Sequence, residues 1–286
     1  MGIDYLTFRE VFDKSHQFLS QKGVPSPKCD IEWIVSHVTG KSRMNIYLNL
    51  DEIVDKKTLS EIRGMLVKRA KREPLQHLLK SIQFCDLQLK CDHRALVPRP
   101  ETERLIEIIT ERIGIDFSGK IYDFGSGSGA ILLALCNNFP HATGVGLDSS
   151  KEALDLSTEN AEVTSLFNRV KFEFFDWMNN DFLGKDLELI VSNPPYLTEK
   201  EWSLCEPEVK VFDPKEALVS PMNGFAHIMR IIRISSESLK EGGSLFLEIG
   251  LGQSEKVCET LSKSFKDIDV LKDLNGIRRF IHAKKF

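Results

Sequence analysis

Asn193-Pro194-Pro195-Tyr196 sets an amide side chain and a proline carbonyl at one rigid corner of the chain. Both prolines lack a backbone N–H and have a fixed φ. They follow Leu187-Glu188-Leu189-Ile190-Val191, an apolar run that reads as a buried strand. Two acceptors side by side can hold a planar –NH2 group by its hydrogens while its nitrogen stays open to an electrophile. The same tetrapeptide also reads as a Pro-terminated strand entering a loop, so the residues upstream have to separate the two.

Three further strand ends do so. Asp123-Phe124-Gly125-Ser126-Gly127-Ser128-Gly129 opens directly into a helix expected from Ala130. Its alternating glycines strip Cβ atoms from the turn, so a ligand can lie against backbone and a helix N-terminus. The spacing is neither the G-x-G-x-x-G of pyrophosphate sites nor a P-loop. Asp148, at the end of the next apolar run, can accept both hydroxyls of a ribose; capping the helix that follows is its alternative role. Asp176-Trp177 adds an acceptor and an aromatic plane able to cover an adenine, although a lone Trp is more often packing. In this order the four strand ends describe a nucleoside cofactor laid across a sheet, its reactive end at Asn193.

Such ends need a parallel sheet with helices on both faces, and the pattern supplies one. Strands are expected at Ile121–Phe124, Gly144–Leu147, Val170–Phe174, Leu187–Ser192, Ser244–Ile249, Ile268–Leu271 and Arg279–His282. Helical spacing falls between them, at Thr102–Arg112, Ala130–Asn138, Lys151–Glu162, Phe225–Leu239 and Glu255–Ser264. Ligands in such sheets bind beyond the carboxyl ends of the strands. From Tyr5 to about Arg72 the pattern is purely helical, with stripes at Phe8–Leu19, Ile31–Val38 (stopped by Gly40) and Ile53–Val67. The basic cluster Arg63, Lys68, Arg69, Lys71, Arg72 reads as a solvated helix end, with a dedicated contact surface as the alternative. Between the two regions, Phe84–Leu89 and Ala95–Val97 suggest two short strands around a polar turn at Cys91-Asp92-His93-Arg94.

The 286 residues suffice for one large or two smaller cores, and 42% hydrophobic with 28% charged residues is ordinary for a globular chain. A net charge of −4 argues against general nucleic-acid binding. Six scattered cysteines without a C-x-x-C pair suggest neither a zinc site nor a disulfide framework, and no metal is expected. With no signal-peptide pattern and no membrane-spanning run, a cytoplasmic protein is expected.

The glycine loop, Asp148 and the Asn-Pro-Pro-Tyr corner together resemble a class I S-adenosylmethionine-dependent methyltransferase acting on a planar nitrogen. That corner is shared by enzymes of adenine N6, guanine N2 and glutamine N5. Pro74-Leu75-Gln76-His77-Leu78, Pro98-Arg99-Pro100-Glu101-Thr102-Glu103 and Leu247-Glu248-Ile249-Gly250 resemble the HemK/PrmC family, the protein-(glutamine-N5) methyltransferases of class 1 peptide chain release factors. The resemblance implies an α/β fold: a Rossmann-like, seven-stranded methyltransferase domain at 99–286, its last strand antiparallel. A helical substrate-recognition domain at 1–83 and a β-hairpin linker at 84–98 would precede it. It implies S-adenosyl-L-methionine as cofactor, S-adenosyl-L-homocysteine as product, and release factors as partners, without a nucleic-acid substrate or a membrane. Gly125, Ser126, Gly127, Ser128, Gly129, Asp148, Trp177 and Asn193 would bind the cofactor. Asn193, Pro194, Pro195 and Tyr196 would hold the glutamine of a Gly-Gly-Gln loop, with Asn193, Pro194 and Tyr196 catalytic. The alternatives are a nucleic-acid amino methyltransferase, a ribosomal-protein glutamine methyltransferase and a non-catalytic binding protein. Lys80 and Asp86 stand where the family usually has glycine, which puts the linker turns in question. Asp213-Pro214 and Met222-Asn223-Gly224 also depart from its Glu-Pro and Gly-x-Asp-Gly.

Overall fold

The computed structural model describes residues 6–182 and 184–286. Tyr5, where the helical region was expected to begin, lies outside the described residues, with the rest of 1–5. The chain divides into two compact units. One gathers the described residues up to Ser81 together with Pro207–Phe212; the other holds Ile82–Glu206 and Asp213–Phe286. Pro207–Phe212 comes from within the stretch expected to be wholly catalytic.

The first unit is built on α1 (Phe8–Gln21), α2 (Pro27–Thr39) and α3 (Lys56–Ala70). Local chemistry starts each one. Thr7 and Glu10 form a capping box, Pro27 occupies the first turn of α2, and the Asp55 carboxylate accepts the N–H groups of Lys57 and Thr58. Gly40 stops α2 at φ 66°. The three apolar stripes converge through Val11, Leu19, Ile31, Ile34, Ile62 and Leu66, each buried side chain contributing roughly 1.5–3 kcal/mol. Ile53 is no part of the third helix. It pairs in a two-residue ladder with Thr7 and is exposed, because α3 begins only after the Asp55 cap.

The basic cluster is not simply a solvated end. Arg69 is 6% exposed; its guanidinium meets Asp30 at 2.6 Å and Glu208 at 2.8 Å, and Arg72 meets the same Glu208 carboxylate at 2.6 Å. A charge removed from water needs such partners, and Glu208 is supplied by the Pro207–Phe212 segment.

The second unit contains a seven-stranded sheet. Its strands are β1 (Lys120–Phe124), β2 (Thr143–Asp148), β3 (Val170–Phe174), β4 (Leu187–Ser192), β5 (Leu239–Glu248), β6 (Phe265–Lys272) and β7 (Arg278–Lys285). They lie in the order β6-β7-β5-β4-β1-β2-β3. The pairs among β1 to β5 are parallel, and β7 runs antiparallel to both β5 and β6. One face is covered by α4 (Pro100–Ile113) and α5 (Ala130–Asn138) through Leu105, Ile109, Leu132 and Leu135. On the other, α6 (Ala226–Ser238) and α7 (Ser254–Leu261) pack through Ile228, Ile231, Val257 and Leu261. Burial on both faces explains the near-continuous apolar runs of β1 and β4.

The hairpin differs from expectation. Ser81–Phe84 pairs with Leu87–Lys90 around Cys85-Asp86, and Ala95–Val97 forms no strand. Ala95 and Val97 are buried by packing rather than by a ladder, Ala95 against Ala153 and Leu156. Of the two positions that break the family's glycine pattern, Lys80 does take the left-handed conformation (φ 56°), whereas in the hairpin turn Cys85 rather than Asp86 takes it.

Register sets the site. Phe124 pairs with both Leu147 and Ser192, and Ser192 with Leu247. The next residues therefore follow one another across the carboxyl edge in the order Glu248, Asn193, Gly125, Asp148. The order of the strands reverses at β1, between β2 and β4, where crevices form in open sheets.

Candidate active site

At that edge lies a cavity of about 370 Å3 whose wall includes Gly125, Gly127, Asp148, Trp177, Asn193 and Pro195. A shallower recess of about 60 Å3 beside it is lined by Ser126, Ser128, Thr102 and Arg99, and by Gly125, Gly127 and Asn193 as well. Gly129, Pro194 and Tyr196 are not part of either wall.

The three glycines of the loop are there for different reasons. All have positive φ. A Cβ on Gly129 would meet the Phe172 ring at 2.8 Å and Ser157 at 3.1 Å, so this residue lets helix and sheet close. A Cβ on Gly125 would meet Trp177 at 3.3 Å. A Cβ on Gly127 would find only Ala95, at 3.9 Å, and would project into open space that a ligand can use.

Asp148 is shared between loop and ligand face. Its Oδ2 accepts the Gly127 N–H at 2.8 Å and its Oδ1 the Ser150 N–H at 2.9 Å. The helix Lys151–Val163 is capped by Ser150, whose hydroxyl accepts the Ala153 N–H, so Asp148 is not its N-cap. Burial raises the Asp148 pKa, and the N–H groups of Ser150 and Gly127 oppose that rise. Trp177 is buried edge-on to Phe124, and its Nε1 has no partner among the described residues. The same is true of Ser126 Oγ. Asp176 turns away, its carboxylate receiving the Met178 N–H and the Asn179 amide.

The Asn193 corner is braced from behind. Asn193 Nδ2 lies 3.4 Å from Thr102 Oγ1, which donates to Glu248 Oε2 at 2.8 Å; Tyr196 Oη donates to Glu248 Oε1 at 3.2 Å. Burial pushes the Tyr196 hydroxyl well above its ordinary pKa, with the Glu248 carboxylate adding to the effect. Gln253 Nε2 donates to the Tyr196 carbonyl at 3.0 Å, and its Oε1 accepts the Gly250 N–H at 2.8 Å. Arg99, between two prolines, is paired with Asp213 at 2.5 Å; this is the departure Asp213, serving as an ion-pair partner.

Several residues of this site carried no local signal. His227 lines the cavity beside Trp177, its Nδ1 2.8 Å from Ser220 Oγ, and burial lowers its pKa. Glu248 stands in the family-like segment Leu247-Glu248-Ile249-Gly250, but its role, like that of Gln253, becomes legible only once β5 is aligned with β4. Among the described residues no group of three or more His, Cys, Asp or Glu side chains could hold a metal ion, and no helix is long and apolar enough to cross a membrane.

Chemically, the open loop at Gly127, a half-buried carboxylate, and an indole N–H and a Ser126 hydroxyl unpartnered among the described residues fit a nucleoside-sized ligand. Its outer end would then meet the Asn193 side chain. Sheet order and strand-end cleft together define a Rossmann-like methyltransferase domain of class I. Residues 10–79 match the PrmC N-terminal domain and residues 100–207 the Methyltransferase small domain. A release factor glutamine methyltransferase of Geobacter sulfurreducens is 34% identical over 97% of this chain and 96% of its own. One from Deinococcus radiodurans is 32% identical over 98% of this chain and 99% of its own. The chain belongs to the release factor glutamine methyltransferase family. Among solved structures, the catalytic domain of hMettl16, in complex with MAT2A 3′UTR hairpin 6, shares the fold: TM-score 0.60, 15% identity, 78% of this chain and 82% of that one.

Proposed function

We propose that the protein transfers a methyl group from S-adenosyl-L-methionine to the side-chain amide nitrogen of the glutamine in the Gly-Gly-Gln loop of class 1 peptide chain release factors, leaving S-adenosyl-L-homocysteine. The observation that carries this reading is the Asn193 amide, in the cavity wall at the end of β4 and tethered by its nitrogen to Thr102. The cofactor would lie along Gly125 to Gly129, with Asp148 on the ribose, Trp177 on the base and Asn193 at the methyl end; Ser126 and Ser128 belong to the adjoining recess. When bound, it supplies an electrophilic methyl group.

A carboxamide nitrogen is a poor nucleophile because its lone pair is delocalised into the carbonyl. Asn193 Oδ1 and the Pro194 carbonyl accept its two hydrogens, which raises electron density on nitrogen and favours its pyramidal form. Pro195 keeps the corner rigid, and Tyr196 packs against the flat amide and excludes water. Positioning of this kind is worth up to roughly 7–11 kcal/mol in well-oriented systems, so no strong general base is required and the proton leaves after transfer. In this reading residues 1–83 recognise the release factor, 84–98 link, and 99–286 catalyse.

The test is methyl transfer from labelled cofactor to a release factor, to the same factor with its Gly-Gly-Gln glutamine replaced, and to unmodified DNA and rRNA. Label confined to the intact factor is expected. Label on nucleic acid, or label surviving the replacement, refutes the assignment. Asn193→Ala should abolish transfer and retain cofactor binding; near-normal turnover would remove Asn193 from the mechanism.

A further inference from the structure

Glu248, the last residue of β5, is 1% exposed and takes no part in the transfer described above. Both of its oxygens receive a hydroxyl, one from Thr102 and one from Tyr196. A carboxylate only accepts, so the two hydroxyl protons are committed to it. The Thr102 oxygen then has only lone pairs to offer. Whatever approaches it must be a donor, and the Asn193 atom that does so at 3.4 Å is Nδ2. Polarity thus runs one way, from Asn193 through Thr102 to Glu248, and leaves Oδ1 as the end of the amide unheld among the described residues.

We infer that Glu248 is a positioning residue for methyl transfer: through Thr102 it fixes which end of the Asn193 amide meets the substrate, while it anchors Tyr196 at the far end of the same corner. This rests on the reading of that corner as the holder of a glutamine amide. A neutral side chain at 248 would be left with one acceptor for two hydroxyls. If the Thr102 hydroxyl turned toward Asn193 instead, the amide would reverse and set its –NH2 against the –NH2 of the substrate, donor against donor. Hydrogen bonds in a chain also polarise one another, so the carboxylate makes Oδ1 a stronger acceptor.

The corner's backbone is held by other means, so Glu248 can be altered without dismantling it. Gln253 clamps the Tyr196 carbonyl and the Gly250 N–H. Gly224 and Gly250 admit this clamp, since a Cβ on Gly224 would lie 2.2 Å from the Tyr196 carbonyl oxygen and one on Gly250 3.1 Å from the Tyr196 ring.

The experiment compares Glu248→Gln, Thr102→Val and the double variant in the full chain, measuring kcat and KM for the release factor and S-adenosylhomocysteine affinity by calorimetry. Each single variant should lower kcat by about 10- to 100-fold, with KM and calorimetric affinity changed less than threefold. The double variant should be no slower than the worse single one, because both act through one chain. Additive losses, unchanged kcat, or a loss of affinity matching the loss of rate would overturn the inference. A further readout needs no substrate: the Asn193 side-chain NH2 signal in 15N-asparagine spectra should shift in Glu248→Gln. An unshifted signal overturns the inference, and if that variant does not fold, Thr102→Val is read in the same way. Wild-type transfer to the glutamine is scored separately. Its failure would refute the proposed substrate, while the asparagine signal would still test the relay.

Discussion

Asp123 lies one residue before the end of β1, is 0% exposed, and has no hydrogen-bond partner for either oxygen among the described residues. Burial raises its pKa from 3.8 to about 8, and the neighbouring Asp148 carboxylate adds to the rise. The folded chain therefore holds a proton that the unfolded chain has lost. Because the folded pKa lies above the unfolded one, stability from this group is highest below pH 3.8 and falls as pH rises through about 8. At about 1.36 kcal/mol per pH unit, the wild-type protein should lose about 4 kcal/mol between pH 5 and pH 8.5 on this account. Asp123→Asn keeps the shape and removes the ionisation. Urea unfolding of both proteins at the two pH values isolates the term, since the other titrating groups are common to them. The variant should gain on the wild type by about that amount at the higher pH. Equal pH dependence in the two proteins would refute the argument and require a charged, satisfied Asp123.

Three further outcomes are expected. Asp148→Asn should weaken S-adenosylhomocysteine binding by about 10- to 100-fold, the worth of a hydrogen bond to a charged group; unchanged calorimetric affinity would leave Asp148 only its bonds to Gly127 and Ser150. Gly129→Ala should cost about 2–4 kcal/mol, because a left-handed φ and a 2.8 Å approach to Phe172 act together. Gly127→Ala should cost only about 1–2 kcal/mol yet impair cofactor binding more; denaturation midpoints and calorimetry on both variants would expose any reversal of this order. Arg69→Met should cost about 3–5 kcal/mol, since it leaves the buried Asp30 carboxylate unpaired, and a loss below about 1 kcal/mol in urea unfolding would contradict a dry ion cluster.

The parts of this fold that were legible in the sequence are those written locally. Gly40 ends α2, Ala130–Asn138 and Val170–Phe174 have the expected bounds, and the glycine loop stands where strand meets helix. What escaped was written in pairs distant along the chain. Nothing near Arg69 announces Asp30 or Glu208, so a buried cation looked like part of a solvated end. The hairpin was misplaced because Ala95 and Val97 are apolar for packing, while its turn rests on a left-handed Cys85 that composition does not advertise. Glu248 was within reach. The rule that leads to Asp148 and Asn193, inspecting what ends each strand, applies to β5 equally, but its side chain acquires meaning only beside Thr102 and Tyr196.

The excursion of Pro207–Phe212 into the first unit means that the chain passes between units three times, after Ser81, Glu206 and Phe212. A single-cut recombination that exchanged the N-terminal segment for another would carry off Asp30, Arg69 and Arg72 and strand Glu208 on the retained side. Any replacement for that segment would have to bring its own cations to meet Glu208.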